Sequence, residues 1–262
     1  MSRRRSRHPK RGARRGSAKA VEATRSASPP TQRIGAIDAL RGAAICAMIA
    51  YHFAFDLNWF GYIDADFDHD PFLLGARGTI VTAFLLLVGI SLLLARRAGV
   101  SRVHFWRRIA LIVACAVLVS VASYVTFSRT FITFGILHCI ALASVLAWPA
   151  TRFPRMALAV GIAVVAAGNS VSFALFDQPW LNWVGLMTHK PATEDYVPLL
   201  PWLGVVLIGI ALGAWQGDRQ FRELRVTLRA APGWLTWLGR HSLLVYMVHQ
   251  PVLTGVLYVL RD

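Results

Sequence analysis

Acidic residues are scarce in this chain. Thirteen Asp and Glu stand against 28 Lys and Arg, a formal net charge of +15. Cysteine is scarcer still: Cys46, Cys115 and Cys139 are the only three in 262 residues. All lie inside apolar runs without metal-ligand or pairing pattern, so they read as small buried hydrophobes and argue against a disulfide framework. No HxxxH or HxxE pair occurs within an apolar run, so no metal is expected. The aspartates at 64, 66, 68 and 70 lack the Gly and terminal Glu of a calcium loop and read as a solvated acidic surface. No internal repeat is evident. No small-residue cleavage site follows the first apolar run, so that run is expected to stay in the mature protein.

What is present in quantity is hydrophobic sequence, 56% of residues, with only 16% charged. That balance points away from a soluble globule and towards an all-α, polytopic transmembrane bundle. Apolar segments recur at 37–57, 73–95, 108–127, 132–149, 156–176, 199–215 and 242–260, which predicts about seven spans. Of the 28 basic residues, 23 fall in the tail and in alternate loops, with Arg77, Arg129, Lys190 and Arg261 on the other side and Arg41 in the first span. The positive-inside rule then places the N-terminus in the cytoplasm and the C-terminus outside. Most acids lie at or beyond the outer ends. The net charge therefore reports orientation and gives no reason to expect a nucleic-acid partner. Residues 1–33, rich in Arg, Ser and Pro, predict a disordered basic cytoplasmic tail, with residues 34–262 as the membrane domain. The short links FSRTF and ATRFP predict antiparallel neighbouring helices.

The first span, AIDALRGAAICAMIAYHFAFD, carries ionisable groups that lipid penalises unless they are paired or hydrated. Arg41 and His52 are eleven residues apart, within about 20° of one helix face and about 16 Å apart along the axis. Asp38 and Asp56 fall near the same stripe, which predicts Asp38–Arg41 and His52–Asp56 pairs on one polar strip. His138 lies in the fourth span. Ser242, Tyr246 and His249 share a face of the seventh, with Gln250 and the helix-disturbing Pro251 beside them. Three histidines on separate spans, with an arginine and two carboxylates, point to a shared polar cavity. Imidazole there can serve as a base, oriented by a carboxylate. A proton-coupled transporter using the same buried strip is the alternative, although seven spans divide poorly into symmetric halves.

The segments IDALRGAAICAMIAYHFAFDL, ITFGILHCIALA, PWLGVVLIGIALG and LGRHSLLVYMVHQPVL, in that order, resemble the bacterial branch of the heparan-α-glucosaminide N-acetyltransferase catalytic family over roughly residues 33–260. Arg41 and His52 at their spacing also resemble the first-span motif of the larger membrane acyltransferases that O-acetylate surface polysaccharides. The resemblance implies an integral protein of the bacterial cytoplasmic membrane. Its reaction would move an acetyl group from cytosolic acetyl-CoA to a sugar amine or hydroxyl across the bilayer. It implies a catalytic histidine on the far side, for which His69 in the first outer loop and His52 both stand. His52 is favoured because a helix holds it more firmly than the Asp-rich loop holds His69. Asp56 and His249 would assist it, and His138, Tyr246, Ser242 and Gln250 would bind the acceptor or the developing oxyanion. Arg41, paired with Asp38, and Arg107, Arg108 and Arg240 would receive the phosphates of acetyl-CoA. The same arginines can equally serve only to set topology and bind anionic headgroups.

Overall fold

The structure is a computed structural model describing residues 35–126, 128–193, 195–215 and 231–261. The tail, the basic residues from Arg219 to Arg229, Glu194 and Asp262 lie outside the described residues. Eight α-helices are described: α1 Gly35–Trp59, α2 Pro71–Arg97, α3 Arg102–Thr126, α4 Ile136–Ala147, α5 Pro154–Ser170, α6 Leu199–Trp215, α7 Gly233–Arg240 and α8 Ser242–Arg261. Short 3-10 turns cover Pro149–Arg152, Ala174–Asp177 and Asn182–Val184. Among the described residues there is no strand, as the uninterrupted apolar runs predict. Helices α1, α2, α3 and α8 are long and apolar enough to cross a membrane, and they make this an integral membrane protein. Helices α4, α5 and α6 are shorter, with 12, 17 and 17 residues, or about 18 to 26 Å.

Local chemistry sets the helix ends. Asp70 caps α2, its carboxylate accepting from Phe72 N (2.8 Å) and Leu73 N (3.0 Å), with Pro71 in the first turn. The chain leaves α2 through Gly99, whose φ of +67° suits glycine. Loop contacts sort the bundle into two ends. At the basic end the Arg96 guanidinium lies over the Trp148 ring (5.9 Å), and Asp38 binds Arg240 (3.4 Å). At the acidic end Lys190 reaches Asp68 (3.3 Å), and Thr193 Oγ1 donates to the Phe131 carbonyl (2.9 Å).

Helix α6 is the central packing element, lying against α2, α4 and α5. The FSRTF link does join packed neighbours, α3 and α4, but the ATRFP link does not: α4 and α5 make no direct contact, and each packs on α6 instead. The turn at Pro149–Arg152 redirects the chain, and Gly161 and Gly204 let α5 approach α6 where added Cβ atoms would meet the facing carbonyls.

The first half of α1 packs tightly on α7, a short helix missing from the list of apolar runs because only eight residues separate Pro232 from His241. The two run antiparallel with their backbones nearly touching. A Cβ on Gly239 would overlap the Asp38 carbonyl oxygen, and one on Gly42 would overlap that of Leu235. Trp234 and Trp237 are exposed on the other side of α7, a placement that suits the membrane boundary. Gly239→Ala should therefore force α7 off α1, a cost of about 1–3 kcal/mol for overpacking. The expected result is a lower melting temperature in detergent, while Gly233→Ala, which meets no neighbour, serves as control. Equal melting of the two variants would show that the close approach is not needed.

Asp195, from the second acidic-end loop, accepts a hydrogen bond from Ile136 N (3.1 Å) at the start of α4, where unpaired N–H groups and the helix dipole favour an anion. Burial pushes its carboxyl above the ordinary Asp range, opposed by the Ile136 N–H and by the charges of Arg77 and Lys190. With the folded pKa raised, its stabilising effect is full below the ordinary Asp range and declines as pH rises through the shifted value. Asp195→Asn keeps an acceptor for Ile136 and should flatten that decline, whereas Asp195→Ala should cost about 1 kcal/mol as a lost cap. Melting temperature against pH checks both, and an unchanged pH profile in the Asn variant would overturn the assignment.

Candidate active site

Two polar clusters lie on one stripe of α1. The lower centres on Asp38, which is buried and accepts from Arg41 (3.1 Å) and Arg240 (3.4 Å). Arg41 also donates to Ser91 on α2, whose hydroxyl donates to the Leu87 carbonyl. One carboxylate thus accepts from two guanidiniums. The Asp38–Arg41 pair is as the i, i+3 spacing predicts. Arg107 and Arg108 do not join it, because α3 makes no contact with α1. Ser91 gave no sequence signal, being one serine in a long apolar run.

The upper cluster lies at the acidic end, where α1 meets α8. The rings of His52 and His249 are 5.0 Å apart between centroids. Asp56 does not pair with His52 as the i, i+4 spacing suggests. Its Oδ1 accepts from Gln250 Nε2 at 2.6 Å, which ties α1 to α8. His249 Nδ1 lies 2.6 Å from the Tyr246 carbonyl oxygen. A carbonyl only accepts, so Nδ1 carries the hydrogen and Nε2 presents a lone pair. Among the described residues, His249 Nε2, Asp56 Oδ2 and Gln250 Oε1 are buried without a hydrogen-bond partner. Unpartnered buried polar atoms are rare and costly enough to need a reason. All three are acceptors, so the group that complements them carries several N–H or O–H hydrogens.

Between the clusters the stripe is apolar. Ile45 and Met48, which lie between Arg41 and His52 on the same face, are buried at 0% and 5% exposure. The strip is therefore two polar clusters parted by a hydrophobic barrier. The single continuous strip expected from the spacing is thus not found, because Ile45 and Met48 fill its middle in the same 3.6-residue register.

The remaining site residues separate clearly. His69 is 85% exposed and bound to Asp66 (3.0 Å). Its loop is anchored by Phe67, which packs edge-on against Tyr51 and Phe55. His138 is occupied at the start of α4: Nδ1 accepts from Gly135 N (3.3 Å), and Nε2 lies 3.4 Å from Ser120 Oγ, itself donating to the Ile132 carbonyl (2.6 Å). With both nitrogens engaged, it orders the acidic-end loop. Tyr246 lies beside His249 (5.5 Å between ring centroids) and packs against both hydrophobic clusters of the bundle. Ser242 is two turns below His249, towards the basic end. No group of three or more His, Cys, Asp or Glu that could hold a metal occurs among the described residues.

The family model described as heparan-α-glucosaminide N-acetyltransferase, catalytic, matches residues 33–251. The match takes in both clusters and every helix except the end of α8. Comparison with curated proteins and with solved structures gives no match. With more than four-fifths of its length matched, this chain belongs to the heparan-α-glucosaminide N-acetyltransferase catalytic family and is a membrane acyltransferase by that membership.

Proposed function

We propose that this protein transfers an acetyl group from acetyl-CoA on the basic side of the membrane to an amine or hydroxyl of a sugar at the acidic end, with His52 and His249 as the catalytic pair. In this reading α4, α5 and α6 complete a seven-span bundle, and the basic end faces the cytoplasm, as the positive-inside rule directs. The observation that carries the reading is the set of three buried acceptors at Asp56, His249 and Gln250. They suit a donor-rich nucleophile and repel an anionic acyl donor. An ammonium held there gives one hydrogen each to Asp56 Oδ2, Gln250 Oε1 and His249 Nε2, and a hydroxyl gives its single hydrogen to His249 Nε2.

The chemistry follows from that placement. His249 takes the proton of the nucleophile, and its tautomer is held by the Tyr246 carbonyl. The lone pair attacks the thioester carbonyl carbon, the new C–N or C–O bond forms, and the C–S bond breaks with its electrons on sulfur. His52 faces the thioester. It either attacks the thioester first, expelling the thiolate and passing the acetyl from its own nitrogen to the nucleophile, or, in direct transfer, relays the proton taken by His249 to the departing thiolate. Asp56 balances the charge that develops on the imidazoles. At the other end Arg41 and Arg240 give the donor's phosphates a planar, two-pronged partner once Asp38 yields. The pantetheine arm has to pass Met48 and Ile45, and Met48 is the flexible one of the two. Family membership favours an enzyme over a carrier that uses the same residues.

His52→Ala and His249→Ala should each lower acetyl transfer to an amino-sugar acceptor by about 100-fold or more, the usual range for losing an acid–base group. His69→Ala should transfer like the parent. Normal turnover by either of the first two variants, measured with labelled acetyl-CoA in proteoliposomes, would remove that histidine from the reaction. Met48→Trp should block the passage: transfer falls at least tenfold, while CoA binding at the basic end stays within twofold. Unimpaired transfer by this variant would mean that the acetyl group takes another route.

A further inference from the structure

The basic end carries a second concavity that plays no part in the proposed reaction. It is an open hollow of about 520 Å³ lined by Leu93, Arg96, Arg97, Thr151, Arg152 and Pro154. It lies where the end of α2 meets the Pro149–Arg152 turn and the start of α5. It is separate from the Arg41–Asp38–Arg240 cluster. Ser91 faces Arg41, and at 100° per residue Leu93 and Arg96 stand about 200° and 140° around α2 from it. The volume falls within the range of small-ligand sites.

Three arginines line this basin, and among the described residues no acidic residue does. Arg96 is held in place over Trp148. Thr151 is 4% exposed and fixes the turn, its hydroxyl donating to the Trp148 carbonyl (2.6 Å). Arg152 follows it directly, so the rigid turn sets where that cation stands. Setting topology requires only that positive charge lie in a loop. It does not require arginines from two separate segments to line one hollow, where like charges repel. An anion with several oxygens removes that repulsion, and the guanidinium fork matches phosphate geometry. Leu93 and Pro154 add an apolar floor, suited to whatever the phosphate is attached to.

We infer that the Arg96–Arg97–Arg152 basin is a binding site for a phosphate-bearing anion, separate from the acyl-transfer route. Two sources share this chemistry: the 3′-phosphate and pyrophosphate of CoA, and the headgroup of an anionic phospholipid. The site does not require that the chain transfer acetyl groups, and its test reads binding alone.

The test uses the full chain in an uncharged detergent. Binding of CoA is measured by calorimetry and retention of phosphatidylglycerol by native mass spectrometry, for the parent and for Arg97→Gln/Arg152→Gln. An equally basic control, Arg102→Gln/Arg129→Gln, removes two exposed arginines outside the basin. Both basin side chains are exposed, so the double variant should melt like the parent; if it does not, Arg152→Gln alone carries the comparison. The expected result is a loss of about tenfold in affinity for at least one probe with the control unchanged. Loss for CoA identifies the nucleotide as occupant, and loss for phosphatidylglycerol identifies the lipid. Parent-like binding of both probes by the basin variant, or an equal loss in the control, would overturn the inference. A negative result would leave the roles of His52 and His249 untouched, and inactive histidine variants that bind normally would leave this basin untouched.

Discussion

The contact of α1 with α7 and α8 is the constraint on which the rest of the molecule depends. Two carboxylates stand at its ends. Asp38 binds Arg240 just before α8 begins, and Asp56 binds Gln250 within it. A carboxylate in a spanning helix is costly unless it is paired or hydrated. These two bonds draw α8 along α1 and bring the His52 and His249 rings to 5.0 Å. Gly42 and Gly239 set the lower half of the same interface, because only bare backbone lets α7 approach closely enough for Arg240 to reach Asp38. Stability and candidate chemistry therefore draw on the same residues.

Around that interface the bundle divides its work by exposure. On α3, Leu111, Val117, Leu118 and Val125 are exposed, and on α8 Val248, Val252, Val256 and Val259 are too. Such faces suit lipid, where apolar side chains cost nothing and backbone groups are satisfied within the helix. The acidic-end loops are held the opposite way, by polar contacts. Asp195 caps α4, His138 and Ser120 fix residues 132–135, and Asp177 accepts from both Thr188 N and Thr188 Oγ1. The Thr188 hydroxyl, then its N–H, hold the Asp177 carboxyl below the usual range. Loops tied down in this way can frame a substrate mouth over His249 without a hydrophobic core of their own.

The sequence made much of this legible, for definite reasons. Helical periodicity placed Asp38 beside Arg41, and the run SLLVYMVHQ placed Tyr246 and His249 on one face, because both are matters of register within a helix. Partnership between helices was not legible. Gln250 won Asp56 from His52 because a planar amide on α8 reaches the carboxylate, whereas a neighbour four residues along α1 has to bend back to it. Ser91 and Asp195 carried no signal of their own, since their meaning comes from a guanidinium and a helix start on distant segments. The eight residues of α7 fell below the length at which an apolar pattern declares itself, although Pro232 and Gly233 mark its start.

The hydrophobic barrier at Ile45 and Met48 bears on what kind of membrane protein can use these clusters. A buried histidine pair joined to the cytoplasm by a continuous polar strip would pass protons, since imidazoles and carboxylates relay them readily. Two apolar side chains in the strip break that relay. An acyl transferase tolerates the break, because its cargo is a thin, mostly uncharged arm that a methionine can yield to, and the proton it moves passes between nucleophile and thiolate within the upper cluster itself. A carrier gains nothing from a barrier that parts its charges and must open it for every cycle. The charges below the barrier are complementary to phosphates and the acceptors above it to an amine or hydroxyl. In the proposed reaction each substrate is thus attracted from its own side of the membrane, and only the acetyl group has reason to cross.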